Sequence, residues 1–314
     1  MKRGALDMLS APMDVLKLHP IRKKVSQKEA FRKDIKAYVT GLGYDCTFEK
    51  VKKGAENIVI GNPETAKYLI TAHYDTPSGM IFPNFVTPCN FLIYILYQFL
   101  VIGLFIGVSV LAGAIAWFLS HSEAAAKLTG ITVYWIVLLT LRFGPANKNN
   151  ANDNTSGIVT LLEIARTLLP IHRDKVCFVL FDLEEAGLVG SKAYRKAHKN
   201  VTENQIVFNM DCVGDGDHII FFPTKKAKKD DSLLRRIHRV GGWFGQKNIL
   251  LKKDGFYFYP SDQKNFPVAF AVGAFSKKKF LGYYYSRIHT SRDTILEETN
   301  VNLLRAAIST IVSE

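Results

Sequence analysis

The chain has 314 residues, 48% of them hydrophobic and 22% charged, enough to bury one large α/β core or two ordinary ones and unlike a disordered composition. A formal net charge of +13 admits nucleic acid, anionic lipid or acidic ligands as partners. The basic clusters at Lys225, Lys226, Lys228 and Lys229 and at Lys277, Lys278 and Lys279 have no aromatic reading element between them, which argues for solvated loop faces and against nucleic acid.

Residues 1–25 carry charge but no apolar core of signal-peptide length, so no cleaved export segment is expected. A helix is predicted over 27–40, followed by strands at 57–60 and 67–73. Residues 91–119 are then almost uninterruptedly apolar, with Gln98 and Ser109 the clear polar exceptions and no formal charge. At about 1.5 Å per residue this run exceeds a hydrocarbon core of about 30 Å. After a polar bridge at 121–127, a second apolar stretch covers 128–143, short for a span and interrupted by Arg142, so that either Arg142 snorkels to the interface or this segment tilts less than the first. The lengths favour a transmembrane hairpin at 90–144 over a buried or interfacial helix pair, inserted between a first part of a catalytic domain, 1–89, and a second, 145–314.

Beyond the hairpin, predicted helices at 156–169, 188–198, 231–241 and 298–312 alternate with strands at 176–183, 205–211, 218–222 and 267–275, the pattern of an α/β domain. Cys46, Cys89, Cys177 and Cys212 show no Cys-x-x-Cys spacing, and Cys177 lies inside an apolar run. Such cysteines are more often reduced and buried than paired, which favours a reducing compartment.

Several short stretches place a carboxylate or imidazole just past an apolar strand or beside a glycine-bearing turn. They are His73-Tyr74-Asp75, Asp153 to Gly157, Glu184-Glu185 followed by Gly187-Leu188, Asp211, and His289-Thr290. Ligands of open α/β sheets bind outside the carboxyl ends of strands. Singly, each has a plain structural explanation: Asp153 as a helix cap, Glu184-Glu185 as an exposed strand end, His289 as a satisfied polar residue. Together, two histidines and three carboxylates make a nitrogen and oxygen set suited to zinc, and the absence of cysteine ligands reads as catalytic more than structural. If one carboxylate bridges, with Asp153 the candidate, this set serves two ions about 3.5–4 Å apart.

The motifs His-x-Asp, Asp-Asn-x-Ser-Gly, Glu-Glu-x-Gly-Leu-x-Gly-Ser, an Asp within an apolar strand and His-Thr-x-x-Asp-Thr occur in an order that resembles the co-catalytic di-zinc aminopeptidases of metallopeptidase clan MH. The likeness runs from about Asn57 to the end, apart from the hydrophobic insertion. It implies a three-layer α/β/α fold with a central mixed, mostly parallel sheet and two Zn2+ per chain. His73 and Asp211 would bind one ion, Glu185 and His289 the other, and Asp153 both. Glu184 would be the general base, outside the coordination shell. Asp75 would accept the outer N–H of His73, fixing its tautomer. The implied reaction is hydrolysis of the N-terminal residue of a peptide by a metal-activated water.

Two departures bear on substrate preference and oxyanion support: Gln263 stands where the family has histidine, and Ile288 where some relatives carry tyrosine before His289. Alternative readings are an acyl transferase resembling glutaminyl cyclases, or a non-catalytic membrane receptor or scaffold of the same fold. Peptides are the expected partners, with lipid around residues 91–143 and no nucleic acid. Because His73 precedes the insertion and the other ligands follow it, the insertion must cross the membrane twice or not at all. Arg142 and Lys148 outnumber Lys127, which favours a cytoplasmic catalytic side, as do the unpaired cysteines and the missing export signal.

Overall fold

The structure, a computed structural model, describes residues 9–314, so the expectation for residues 1–25 falls in part outside the described residues. The strands are β1 (Cys46–Lys52), β2 (Ala55–Ile60), β3 (Tyr68–His73), β4 (Val176–Phe181), β5 (Ile206–Met210), β6 (His218–Pro223), β7 (Gly242–Phe244), β8 (Lys247–Leu251), β9 (Ala269–Lys278) and β10 (Gly282–Tyr284). They form one sheet in the order β1-β2-β4-β3-β5-β9-β6-β8-β7, with β10 also paired to β9. The helices are α1 (Val15–Leu18), α2 (Val25–Gly41), α3 (Phe91–Ser120), α4 (Glu123–Phe143), α5 (Ser156–Thr167), α6 (Pro170–Arg173), α7 (Val189–Ala197), α8 (Lys199–Thr202), α9 (Asp231–Arg239) and α10 (Glu298–Ser313).

The sheet is mixed, as expected, but the predominance of parallel pairs holds only at its centre. Pairing is parallel for β4–β3, β3–β5, β5–β9 and β6–β8. It is antiparallel for β1–β2, β2–β4, β9–β6, β8–β7 and β9–β10. The reason is local: β1–β2 and β7–β8 are joined by tight turns with Gly54 and Gly245 at positive φ, and a two-residue connection permits antiparallel strands only. The edge strands β1, β7 and β10 and the penultimate strand β8 were not anticipated, and Lys277 and Lys278 extend β9 instead of lying in a loop.

Successive residues of a strand face opposite sides of a sheet, and the core divides accordingly. Ile70, Phe178, Leu180 and Phe208 pack under α2, α5, α9 and α10, through Phe31, Ile35, Leu161, Leu233 and Leu304. Leu69, Cys177, Val179 and Val207 pack on the other face with Tyr194 of α7. Burial on both faces explains why β4 is an unbroken apolar run.

Helices α3 and α4 stand outside this core. Only Ser109 and Gly113 of α3 are buried, and no residue of α4 is. A core helix of a soluble domain would be buried along one face; these two are apolar nearly all round and long enough to cross a membrane. They pack on each other through small residues: a Cβ at Gly113 would lie 2.9 Å from the Ala126 carbonyl oxygen, and one at Gly130 3.2 Å from that of Ser109. The second helix is longer than the predicted stretch at 128–143. The Ser122 hydroxyl caps it by accepting from the Ala125 N–H, and its 21 residues span about 31 Å.

Candidate metal centre

Parallel strands in register bring their carboxyl ends together. His73 is the last residue of β3, opposite Phe181 of β4, and Asp211 follows the end of β5 directly, one residue beyond the strand that was expected to contain it. Glu184 and Glu185 lie in the loop after β4. Asp75 holds that loop: its Oδ1 accepts from the Glu184 N–H at 2.9 Å and its Oδ2 from the Glu185 N–H at 3.2 Å. At the start of α7, which follows this loop, a Cβ at Gly190 would sit 2.2 Å from the Asp182 carbonyl oxygen, which accounts for the second glycine of its motif.

Asp153 reaches the site from the turn preceding α5, and the rest of its motif anchors that turn to the end of β5. Asn154 Nδ2 donates to the Met210 carbonyl at 2.9 Å, the Ser156 hydroxyl accepts from the Val213 N–H at 3.0 Å, and Asn152 Oδ1 accepts from the Gly214 N–H at 2.7 Å. A Cβ at Gly157 would meet the Met210 carbonyl oxygen at 2.5 Å, so only glycine allows this approach. From the other side Asp293 accepts from the Asn152 and Asp153 N–H groups at 2.8 and 3.0 Å. Burial and the nearby Asp153 push Asp293 up to about 7. Left-handed backbone at Leu183, Cys212 and His289 sits beside these residues, as strained φ/ψ often does at functional sites.

Two clusters result, sharing one residue. Asp153 Oδ1 lies 3.2 Å from His73 Nε2, which is 3.9 Å from Asp211 Oδ1. Asp153 Oδ2 lies 3.0 Å from His289 Nε2, which is 3.3 Å from Glu185 Oε1. The donor atoms of each triad fall within 4.8 Å of one another, as do those of His73, Glu184 and Glu185. His73 Nδ1 is buried without a hydrogen-bond partner, 3.6 Å from Asp75 Oδ1.

Charge shows what this arrangement suits. Asp75, Asp153, Glu184, Glu185 and Asp211 converge on His73 and His289. Burial pushes the two histidines down, but the carboxylates outweigh it and hold both well above the ordinary imidazole range. Burial drives Glu184 well above the ordinary carboxylate range and raises Glu185 and Asp211. Burial opposes ionisation of Asp153 too, yet its contacts with His289 and His73 hold it below the usual range. A buried acidic cluster of this kind draws in protons, and divalent cations between the same donors would take their place. The residues therefore fit two metal ions with nitrogen and oxygen ligands.

Residues 73, 75, 153, 184, 185, 211 and 289, singled out in the sequence, all converge here. Not anticipated were Asn152 and Asp293, which orient Asp153, and Tyr259, whose hydroxyl donates to the Asp211 carbonyl at 2.8 Å. Asp293 was visible inside the His-Thr-x-x-Asp-Thr motif; the other two left no local signal. Arg22 was also missed. Fully buried, it donates to the Tyr74 and His19 carbonyls at 2.6 Å and to Thr155 Oγ1 at 3.1 Å, and burial pushes it down only to about 10, so it stays charged. Gln263 is buried behind Tyr259, donating to its carbonyl at 2.7 Å. Ile288 lines the cavity among the metal-site residues, and Tyr285 lines it as well.

Fold and donor set together define an α/β/α protein with a candidate two-metal centre at the strand ends. Residues 136–313, more than half of the chain, match the description of Peptidase family M28, and the chain belongs to that family. His73 and Asp75 lie before the matched span. Aminopeptidase YwaD of Bacillus subtilis (strain 168) is 42% identical over 67 residues, which are 20% of this chain and only 15% of that protein. Among solved structures, a glutaminyl cyclase of Porphyromonas gingivalis superposes with a TM-score of 0.58 at 16% identity, covering 96% of each chain. A Zn-dependent exopeptidase from Parabacteroides distasonis ATCC 8503 gives 0.55 at 14%, again over 96% of each. Both likenesses establish the fold, as the sequence led one to expect.

Proposed function

We propose that the protein is a two-zinc aminopeptidase, with its catalytic domain (1–89 and 145–314) held to a membrane by the hairpin at 90–144. The observation that carries this reading is the orientation of Asp153, which turns Oδ1 to His73 and Oδ2 to His289 and so joins the groups His73-Asp153-Asp211 and Asp153-Glu185-His289. Zinc held there would supply Lewis acidity and make water a better acid near neutral pH. Glu184 accepts the proton of the attacking water and returns one to the leaving amine. Its raised pKa, caused first by burial, moves it toward the range where a carboxyl group can do both. Asp75 fixes the backbone of both glutamates and faces the outer nitrogen of His73, so it positions base and ligand together. Peptides with a free N-terminus are the proposed substrates.

A panel of aminoacyl fluorogenic substrates, assayed on the purified full-length protein with and without a chelator, tests the reading. Activity on at least one substrate is expected, lost with chelator and restored by zinc, with about two zinc ions per chain. Cyclised product from an N-terminal glutamine, with no residue released, would point instead to acyl transfer on the glutaminyl-cyclase pattern.

The hairpin crosses twice, with the active site on the cytoplasmic side. In a Cys89→Ser background, Ala124→Cys at the start of α4 is expected to react with a membrane-impermeant thiol reagent on intact cells, and Lys148→Cys to stay unlabelled. The reverse pattern would invert the topology. Release of the unmodified protein by carbonate would show that the helices do not span.

A further inference from the structure

Both ends of the hairpin run into the walls of the metal centre. Before α3, the Met80 and Asn84 N–H groups donate to the carbonyls of His289 and Ile288 at 2.7 and 3.3 Å, and Val86 bridges to Tyr285. Asn84 and Val86 thereby form one side of the cavity among the metal-site residues. At the other end, Leu141, Arg142 and Phe143 of the last turn of α4 line a cleft of about 340 Å³ that also touches Glu185 and His289. Arg142, the charge at the end of the second apolar stretch, donates to the Glu185 carbonyl at 3.2 Å and the Ala186 carbonyl at 3.5 Å, on the loop of the two glutamates.

Helix length sets where this cleft lies. With 21 residues, α4 measures about 31 Å against a hydrocarbon core of about 30 Å, so a spanning α4 has no surplus to carry Arg142 far from the interface. The surface beside α3 agrees. Phe280 is 84% exposed and Phe256 65%. Phe256 packs on Phe91, the first residue of α3, and the Phe280 carbonyl accepts from Asn90 Nδ2 at 3.3 Å. Two large exposed apolar side chains beside the point where a helix leaves for the bilayer suit the lipid interface, and Lys277, Lys278 and Lys279 next to Phe280 suit anionic headgroups.

We infer that the catalytic cleft opens at the bilayer surface and that the enzyme acts on polypeptides whose free N-terminus is held within a few residues of the membrane by an anchor of their own. This rests on the aminopeptidase reading and on the hairpin spanning the membrane. A shared surface confines enzyme and substrate together and raises their effective concentration. A cleft whose lip is a helix end can receive a chain emerging beside it.

The test uses the full-length protein in vesicles of phosphatidylcholine and phosphatidylglycerol. One fluorogenic N-terminal sequence is presented in three forms: soluble and amidated, or anchored by a palmitoylated lysine placed about five or about twenty residues from the N-terminus. An extended chain of about five residues reaches no more than about 18 Å, so only a cleft near the surface can accept it. Cleavage of the short-tethered form within about twofold of the long one, and at least about tenfold faster than the soluble form, is expected. Cleavage of the long tether but not the short one would place the cleft away from the surface and overturn the inference. Equal rates for soluble and anchored forms would overturn the substrate class and leave the aminopeptidase reading standing. No cleavage of any form, the soluble one included, would overturn both.

Discussion

Glu184→Gln is expected to lower turnover by about 10²–10⁴-fold while leaving zinc content and fold unchanged. The substitution keeps the size and outline of the side chain but exchanges one carboxylate oxygen for an amide NH2, so the group can no longer take a proton. Glu184 approaches His73 and Glu185 closely enough to serve as a ligand as well as a base, so rate alone would not separate the two roles. Metal analysis does. A base outside the coordination shell leaves about two zinc ions per chain in the variant, whereas a ligand takes metal with it. Near-normal turnover, or a zinc-depleted variant, would assign the two adjacent glutamates differently.

Asp153→Ala should be the most damaging substitution for metal retention. In the proposed assignment His73 and His289 each serve one ion and Asp153 serves both, although His73 also lies within reach of Glu184 and Glu185. Removing it deletes a donor from each site and also withdraws the negative charge lying between two dications. The expected zinc content is well below one per chain for Asp153→Ala, and about one for His73→Ala and His289→Ala, measured on detergent-purified protein with unchanged far-ultraviolet circular dichroism. Activity should fall below detection in the aspartate variant. Equal metal loss in all three would mean that the ions do not share Asp153.

Arg142 links the proposed membrane anchor to this chemistry. Its guanidinium donates to the carbonyls of Glu185 and Ala186 from the end of α4, which ties the helix end to the glutamate loop. Sequence pattern placed Arg142 correctly at a helix terminus, where a charge belongs near an interface. It carried no sign that the charge would turn back toward the loop, because that contact spans residues far apart in the chain.

What the sequence determined by itself is whatever short-range pattern can carry. The buried central strands β3, β4 and β5 were legible as apolar runs, α3 as a charge-free segment too long for a core helix, and the donors as polar residues just beyond strand ends. Their order also required an even number of crossings between His73 and Asp153. The tertiary structure decided the rest. Edge strands such as β1 and β7 bury too little to show a pattern, and tight turns alone make them antiparallel. The placing of Asp153 between His73 and His289 depends on Asn152, Asn154, Ser156 and Gly157 docking on residues 210–214, and on Asp293 closing from the far side. Those hydrogen bonds join segments separated by scores of residues, and no periodicity along the chain records them, because they exist only once the sheet has brought its carboxyl ends into register.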